Sequence, residues 1–80
     1  MQAILENNLT HFTQYYDEIE VIKVNPIFSQ INLNLADLEE GEYTLFVLDN
    51  LNQIIVKELV KIGTNNNNKR VRNYIQYVRQ

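Results

Sequence analysis

The chain has no cysteine and no tryptophan, and only one histidine, one proline and two glycines among its 80 residues. Without cysteine there is no disulfide and no thiolate ligand to reinforce a core. His11 alone assembles neither a metal centre nor a nucleophile–base pair. Two glycines, at 41 and 63, leave no glycine-rich phosphate loop. No apolar run approaches the ~20 residues that a membrane helix needs. The start, MQAILENNLTHF, has neither the positive flank nor the apolar stretch of a secretory signal. Together these absences lead us to expect a chain that is not exported by the general secretory route, does not enter a membrane, and is neither an enzyme nor a carrier of a cofactor or metal.

What the chain does contain is enough to build a core. Hydrophobic residues make up 45% of it, and five tyrosines and three phenylalanines are among them, which argues against wholesale disorder. A chain of this length buries only about 60–65% of the surface that its unfolded form exposes. One domain spanning 1–80, of limited stability by itself, is therefore expected, with docking on a partner or homo-oligomerisation as its support.

Charge is unevenly spread. Residues 1–62 carry all ten acids against Lys23, Lys57 and Lys61, a balance of −7; residues 63–80 carry Lys69, Arg70, Arg72 and Arg79 and no acid, a balance of +4. A basic terminal segment beside an acidic body marks these four residues as candidate partner contacts. The segment KRVRNYIQYVR interleaves basic and aromatic residues as nucleic-acid binders do, but a sequence pI of about 4.9 sets an unfavourable field for a polyanion and disfavours nucleic acid as the partner.

Hydrophobic periodicity is mostly two. In QINLNL, Ile31, Leu33 and Leu35 alternate with Gln30, Asn32 and Asn34. In EYTLFVLD, Tyr43, Leu45 and Val47 share one face and Thr44, Phe46 and Leu48 the other, the pattern of a central strand buried on both sides. QIIVKELVKI puts Ile54, Val56, Val60 and Ile62 on one face and Lys57 and Lys61 on the other, and DNLN between the two strands is turn chemistry for a hairpin. EIEVIKVN reads as a strand with a bulge at the adjacent Val21 and Ile22, ended by Pro26. LTHFTQYY is a weaker strand. RVRNYIQYV fits helix spacing, with Asn68 as N-cap, but its Val, Ile and Tyr content favours a strand. LADLEEGEY is a connection, with Leu38 in the core and Gly41 at a positive φ. GTNNNNKR predicts a flexible Asn-rich loop near 64–68. Five to seven short strands separated by turn signals imply an all-β fold, a small antiparallel sandwich or barrel of immunoglobulin-like type.

Carboxylates cluster at Asp17, Glu18 and Glu20 and at Asp37, Glu39, Glu40 and Glu42, but in predicted turns and on wet faces, whereas acid–base work needs a carboxyl held in a pocket. DLEEGE lacks the spaced ligand order of a calcium loop. His11 reads as a packed or surface imidazole, and the tyrosines as core or rim packing.

The hairpin LEEGEYTLFVLDNLNQIIVKELVKIG, a polar loop and then YIQYV together resemble small β-domains of crAss-like tailed phages of Bacteroidetes. The shared positions are Gly41, Glu42, Tyr43, Asp49, Ile62, Gly63, Tyr74, Gln76 and Tyr77, over about residues 31–78, with Asn50-Leu51-Asn52 where the turn usually carries glycine. This resemblance implies an auxiliary or decoration protein of a phage capsid, made in the host cytoplasm and held in the virion. The implied partner is the major capsid protein or a head-fibre protein. The same hairpin is also similar to the C-terminal sorting domain of type IX secreted proteins. That likeness implies instead a non-catalytic carbohydrate- or protein-binding module.

Overall fold

The computed structural model describes residues 1–63 and 74–78. Seven strands and no helix make up these residues: β1 (Gln2–Asn7), β2 (Thr13–Tyr16), β3 (Val21–Lys23), β4 (Phe28–Asn32), β5 (Gly41–Leu48), β6 (Ile54–Ile62) and β7 (Tyr74–Val78). They form two antiparallel sheets, one in the order β2-β1-β5-β6 and one in the order β3-β4-β7. The fold is a small all-β sandwich. Its four-over-three division is that of constant-type immunoglobulin domains, with a strand order of its own.

The long hairpin is the centre of the larger sheet. Tyr43, Leu45 and Val47 alternate inward on β5 and are essentially inaccessible to solvent. The DNLN turn closes because Asp49 accepts hydrogen bonds through Oδ1 from the Leu51 and Gln53 amides, at 2.9 and 3.0 Å. Asn52 takes the left-handed conformation (φ 61°), a role that Asn fills when Gly is absent. A bulge between Val47 and Leu48 and the facing strand sets Val56 opposite Val47 but Ile54 opposite Leu48. The extra residue reverses the side-chain alternation, so Ile54, expected in the core, is thrown onto the outer face and is 59% exposed. The outer face of β5, expected to be buried, is half-buried at Thr44, Phe46 and Leu48, because only the inner face meets a second sheet.

On the other flank of β5 lies β1, a strand that the sequence reading does not anticipate. Its Ala3 and Leu5 are completely buried, opposite Val47 and Leu45. In the smaller sheet β3 pairs with β4 in plain register, Val21 opposite Ile31 through Lys23 opposite Ser29, without the expected bulge. The adjacent apolar pair is accommodated by facing Val21 to the core and Ile22 to solvent. The hairpin from β3 to β4 is tied by Asn25 Oδ1, which accepts from the amides of Ile27 and Phe28 at 2.8 and 2.7 Å. Strand pairing of QINLNL ends at Asn32, yet Leu33 and Leu35 remain buried beyond it, and Leu38 joins them from the following turn. Gly41 has φ 155°, and a Cβ there would sit 3.4 Å from Nδ2 of the Asn7 side chain. β7 is a strand rather than a helix, with Ile75 and Tyr77 buried. A single core joins the two sheets, from Leu5, Tyr43 and Leu45 to Ile31, Ile75 and Tyr77.

Candidate functional site

The acidic clusters line open surface clefts, Asp17, Glu18 and Glu20 beside Asn32 and Asn34, and Glu39, Glu40 and Glu42 beside Asn7 and Asn8. Asp17, Glu18, Glu20, Asp37, Glu39, Glu40 and Glu42 are all exposed, and no group of three potential ligands is placed to hold a metal among the described residues. His11 sits in a left-handed turn (φ 63°), exposed, its Nδ1 3.3 Å from a Glu6 carboxylate oxygen. Of the tyrosines, Tyr43 and Tyr77 are in the core and Tyr16 donates to the Asn34 carbonyl at 2.9 Å, whereas Tyr15 is 66% exposed. Burial pushes the Tyr16 phenol above its usual range, helped by Tyr43 and Asp37 nearby. Lys69, Arg70, Arg72 and Arg79, the candidate partner contacts, and the Asn-rich loop near 64–68 lie outside the described residues.

Strand pairing instead assembles an apolar face that no single segment displays. Residues directly opposite each other in a sheet share a face. On the solvent side of the smaller sheet, Phe28 therefore stands beside Val78, Gln30 beside both Ile22 and Gln76, and Asn32 beside Tyr74. Val24 extends the first row, its backbone N–H donating a hydrogen bond to the Phe28 carbonyl at 3.1 Å. Ile27 projects from the adjoining turn, 58% exposed. Ile22, Val24, Phe28 and Val78 are each exposed by more than a third. The polar members of the face are neutral and tie one another: Gln76 Nε2 donates to Gln30 Oε1 at 3.4 Å, and Gln30 Nε2 to Asn32 Oδ1 at 3.1 Å. Among the described residues, no charged side chain stands in the first two rows; Glu20, one residue before β3, lines a cleft with Asn32 at the end of the third.

No family model matches this chain, and no curated protein and no solved structure matches it.

The solvent side of the larger sheet differs in kind. Its middle row runs Tyr15, Ile4, Phe46 and Lys57, and the Lys57 ammonium lies 5.8 Å from the centre of the Phe46 ring. Glu6, Glu42 and Lys61 stand on the same side, so this surface is amphipathic and wetted by charge. The smaller sheet carries the face suited to exclusion of water. Isolated exposed apolar residues are ordinary on a protein surface, whereas a contiguous, uncharged group of them marks a contact site. Pattern reading along the chain misses this face, because its members become neighbours only once β3, β4 and β7 pair.

Proposed function

We propose that this protein is a non-catalytic building block that docks through the outer face of its smaller sheet, as an auxiliary or decoration protein on a phage capsid. The observation that carries the reading is the uncharged face of Ile22, Val24, Ile27, Phe28 and Val78 on an otherwise acidic molecule. The bonds among Gln76, Gln30 and Asn32 offset part of the cost of desolvating this face, and burial of its apolar side chains supplies the driving force. The dimensions suit the task. The molecule measures 37 × 28 × 19 Å, and one broad side is on the scale of the roughly 800 Å² that a standard interface takes from each partner. The hairpin's resemblance to phage β-domains supplies the partner: the major capsid protein or a head-fibre protein, met in the virion after synthesis in the host cytoplasm.

The test is co-sedimentation with assembled particles, run beside binding to a glycan array. Saturable recovery with particles and a blank array support the reading. Recovery only as a free monomer, with saturable glycan binding, replaces it with the carbohydrate-binding module.

A further inference from the structure

The solvent side of the four-stranded sheet also gathers apolar side chains. Its middle row of Tyr15, Ile4, Phe46 and Lys57 is flanked by Leu48 and Ile54 on one side and by Glu6, Thr44 and Leu59 on the other. Tyr15, Ile54 and Leu59 are each exposed by more than half. The middle row crosses β6 at Lys57, six residues and so about 20 Å along the strand from Gly63. An exposed apolar group of this extent marks a contact surface, and its charges say which contact. The strands place four charged side chains on this side, sorted by strand: Glu6 on β1 and Glu42 on β5, Lys57 and Lys61 on β6. They balance to zero, on a chain whose formal net charge is −3. A partner of one sign would satisfy half of them and repel the rest. Glu42 and Lys61 stand opposite each other, whereas β5 separates Glu6 from Lys57. Lys57 is in no ion pair among the described residues and lies over the Phe46 ring, and Glu6 has His11 beside it at 3.3 Å. A surface that carries both an unmatched acid and an unmatched base in separate places is complementary to itself.

We propose that this side binds a second copy of the chain, sheet on sheet, about a two-fold axis that runs along the strands between β1 and β5. Aligned sheets pack face to face about 10 Å apart. An axis in the plane between them sets β2 of one copy over β6 of the other, and β1 over β5. In the middle row Ile4 then meets Phe46, and Tyr15 meets Lys57, whose ammonium gains an aromatic ring from each copy. Glu6, one strand across and one row along, is the acid nearest to that ammonium. Two-fold symmetry repeats both contacts. Burial of the apolar side chains supplies the attraction, and the charges fix the register. This side lies opposite the face proposed for docking on particles, and its test uses the isolated protein, so failure of one leaves the other standing.

The experiment is sedimentation equilibrium of the isolated protein over a range of concentrations, with Glu6→Lys and Lys57→Glu as variants. A reversible monomer–dimer equilibrium is expected, weakened by salt. Either variant alone brings like charges together at both contacts and should weaken association roughly tenfold or more. An equimolar mixture of the two variants should form a mixed dimer as tight as the unaltered one, because the exchanged charges again oppose each other at both contacts. Glu6 and Lys57 form no ion pair within one copy, so a merely structural role would not produce this rescue. Concentration-dependent shifts of the amide resonances should fall on β1, β2, β5 and β6. A monomer at every concentration, association indifferent to both variants, a mixture no tighter than its components, or shifts confined to β3, β4 and β7 would each overturn the proposal.

Discussion

Single residues divide between those that hold the sandwich and those that face outward, and neighbours in sequence can fall on opposite sides. Leu45 is completely buried at the centre of β5. Leu45→Ala is expected to cost about 2–5 kcal/mol by urea denaturation, the range for truncating a buried leucine. Ile54, two positions from the buried Val56, lies outward of the bulge, and Ile54→Ser is expected to change stability by no more than ~0.5 kcal/mol, as for an ordinary surface site. A large loss at Ile54 would mean that the bulge is misplaced. Tyr77 gives a pH signature. Its phenol is raised chiefly by burial, so the unfolded chain releases that proton at a lower pH than the folded one. The stabilisation is fully present below the unfolded value of about 10 and is lost as pH rises through the folded value. Urea midpoints should hold steady through neutrality and fall above about pH 10, and Tyr77→Phe should lessen the fall.

At the scale of elements, the hairpin of β5 and β6 is legible in the sequence because local pattern, turn residues and burial agree. Tyr43, Leu45, Val47 and Val56 alternate into the core as expected, and Asp49 closes the turn. Asp49→Ala leaves two turn amides without their acceptor and should cost about 1 kcal/mol, the net value of a typical hydrogen bond or cap, read from the thermal midpoint. What stays illegible depends on pairing between strands. The bulge that diverts Ile54 is set by the register between β5 and β6. β1 carries the same alternation, but its Ala3 and Asn7 are weak hydrophobic signals, and their burial is dictated by the strands on either side. The apolar face shows the same dependence: Ile22, Phe28 and Val78 come from three strands spread over most of the chain. Glu58 reads as a surface charge between Lys57 and Leu59 until its partner across the strand is known to be Leu45.

The whole molecule combines a small disulfide-free core with an acidic body and a basic terminal segment. We propose that an assembly supplies the stability that such a core lacks. Lys69, Arg70, Arg72 and Arg79 are proposed to tune that docking rather than drive it, because an exposed ion pair contributes only about 0–1 kcal/mol. Replacing Arg70 and Arg72 together by Ser should lower particle occupancy modestly at low salt. The difference should shrink at physiological salt, where the Debye length is about 8 Å. Unchanged occupancy at both salts would leave the basic segment without a docking role. If the outer face of β3, β4 and β7 is the docking surface, charge placed in its middle should block docking. Ile22→Glu with Val78→Glu alters two exposed side chains on neighbouring rows of that face. With the fold intact by amide spectra, particle occupancy of this variant is expected to fall by roughly tenfold or more, since a buried, unpaired charge costs several times RT. Occupancy equal to that of the unaltered protein would contradict the account.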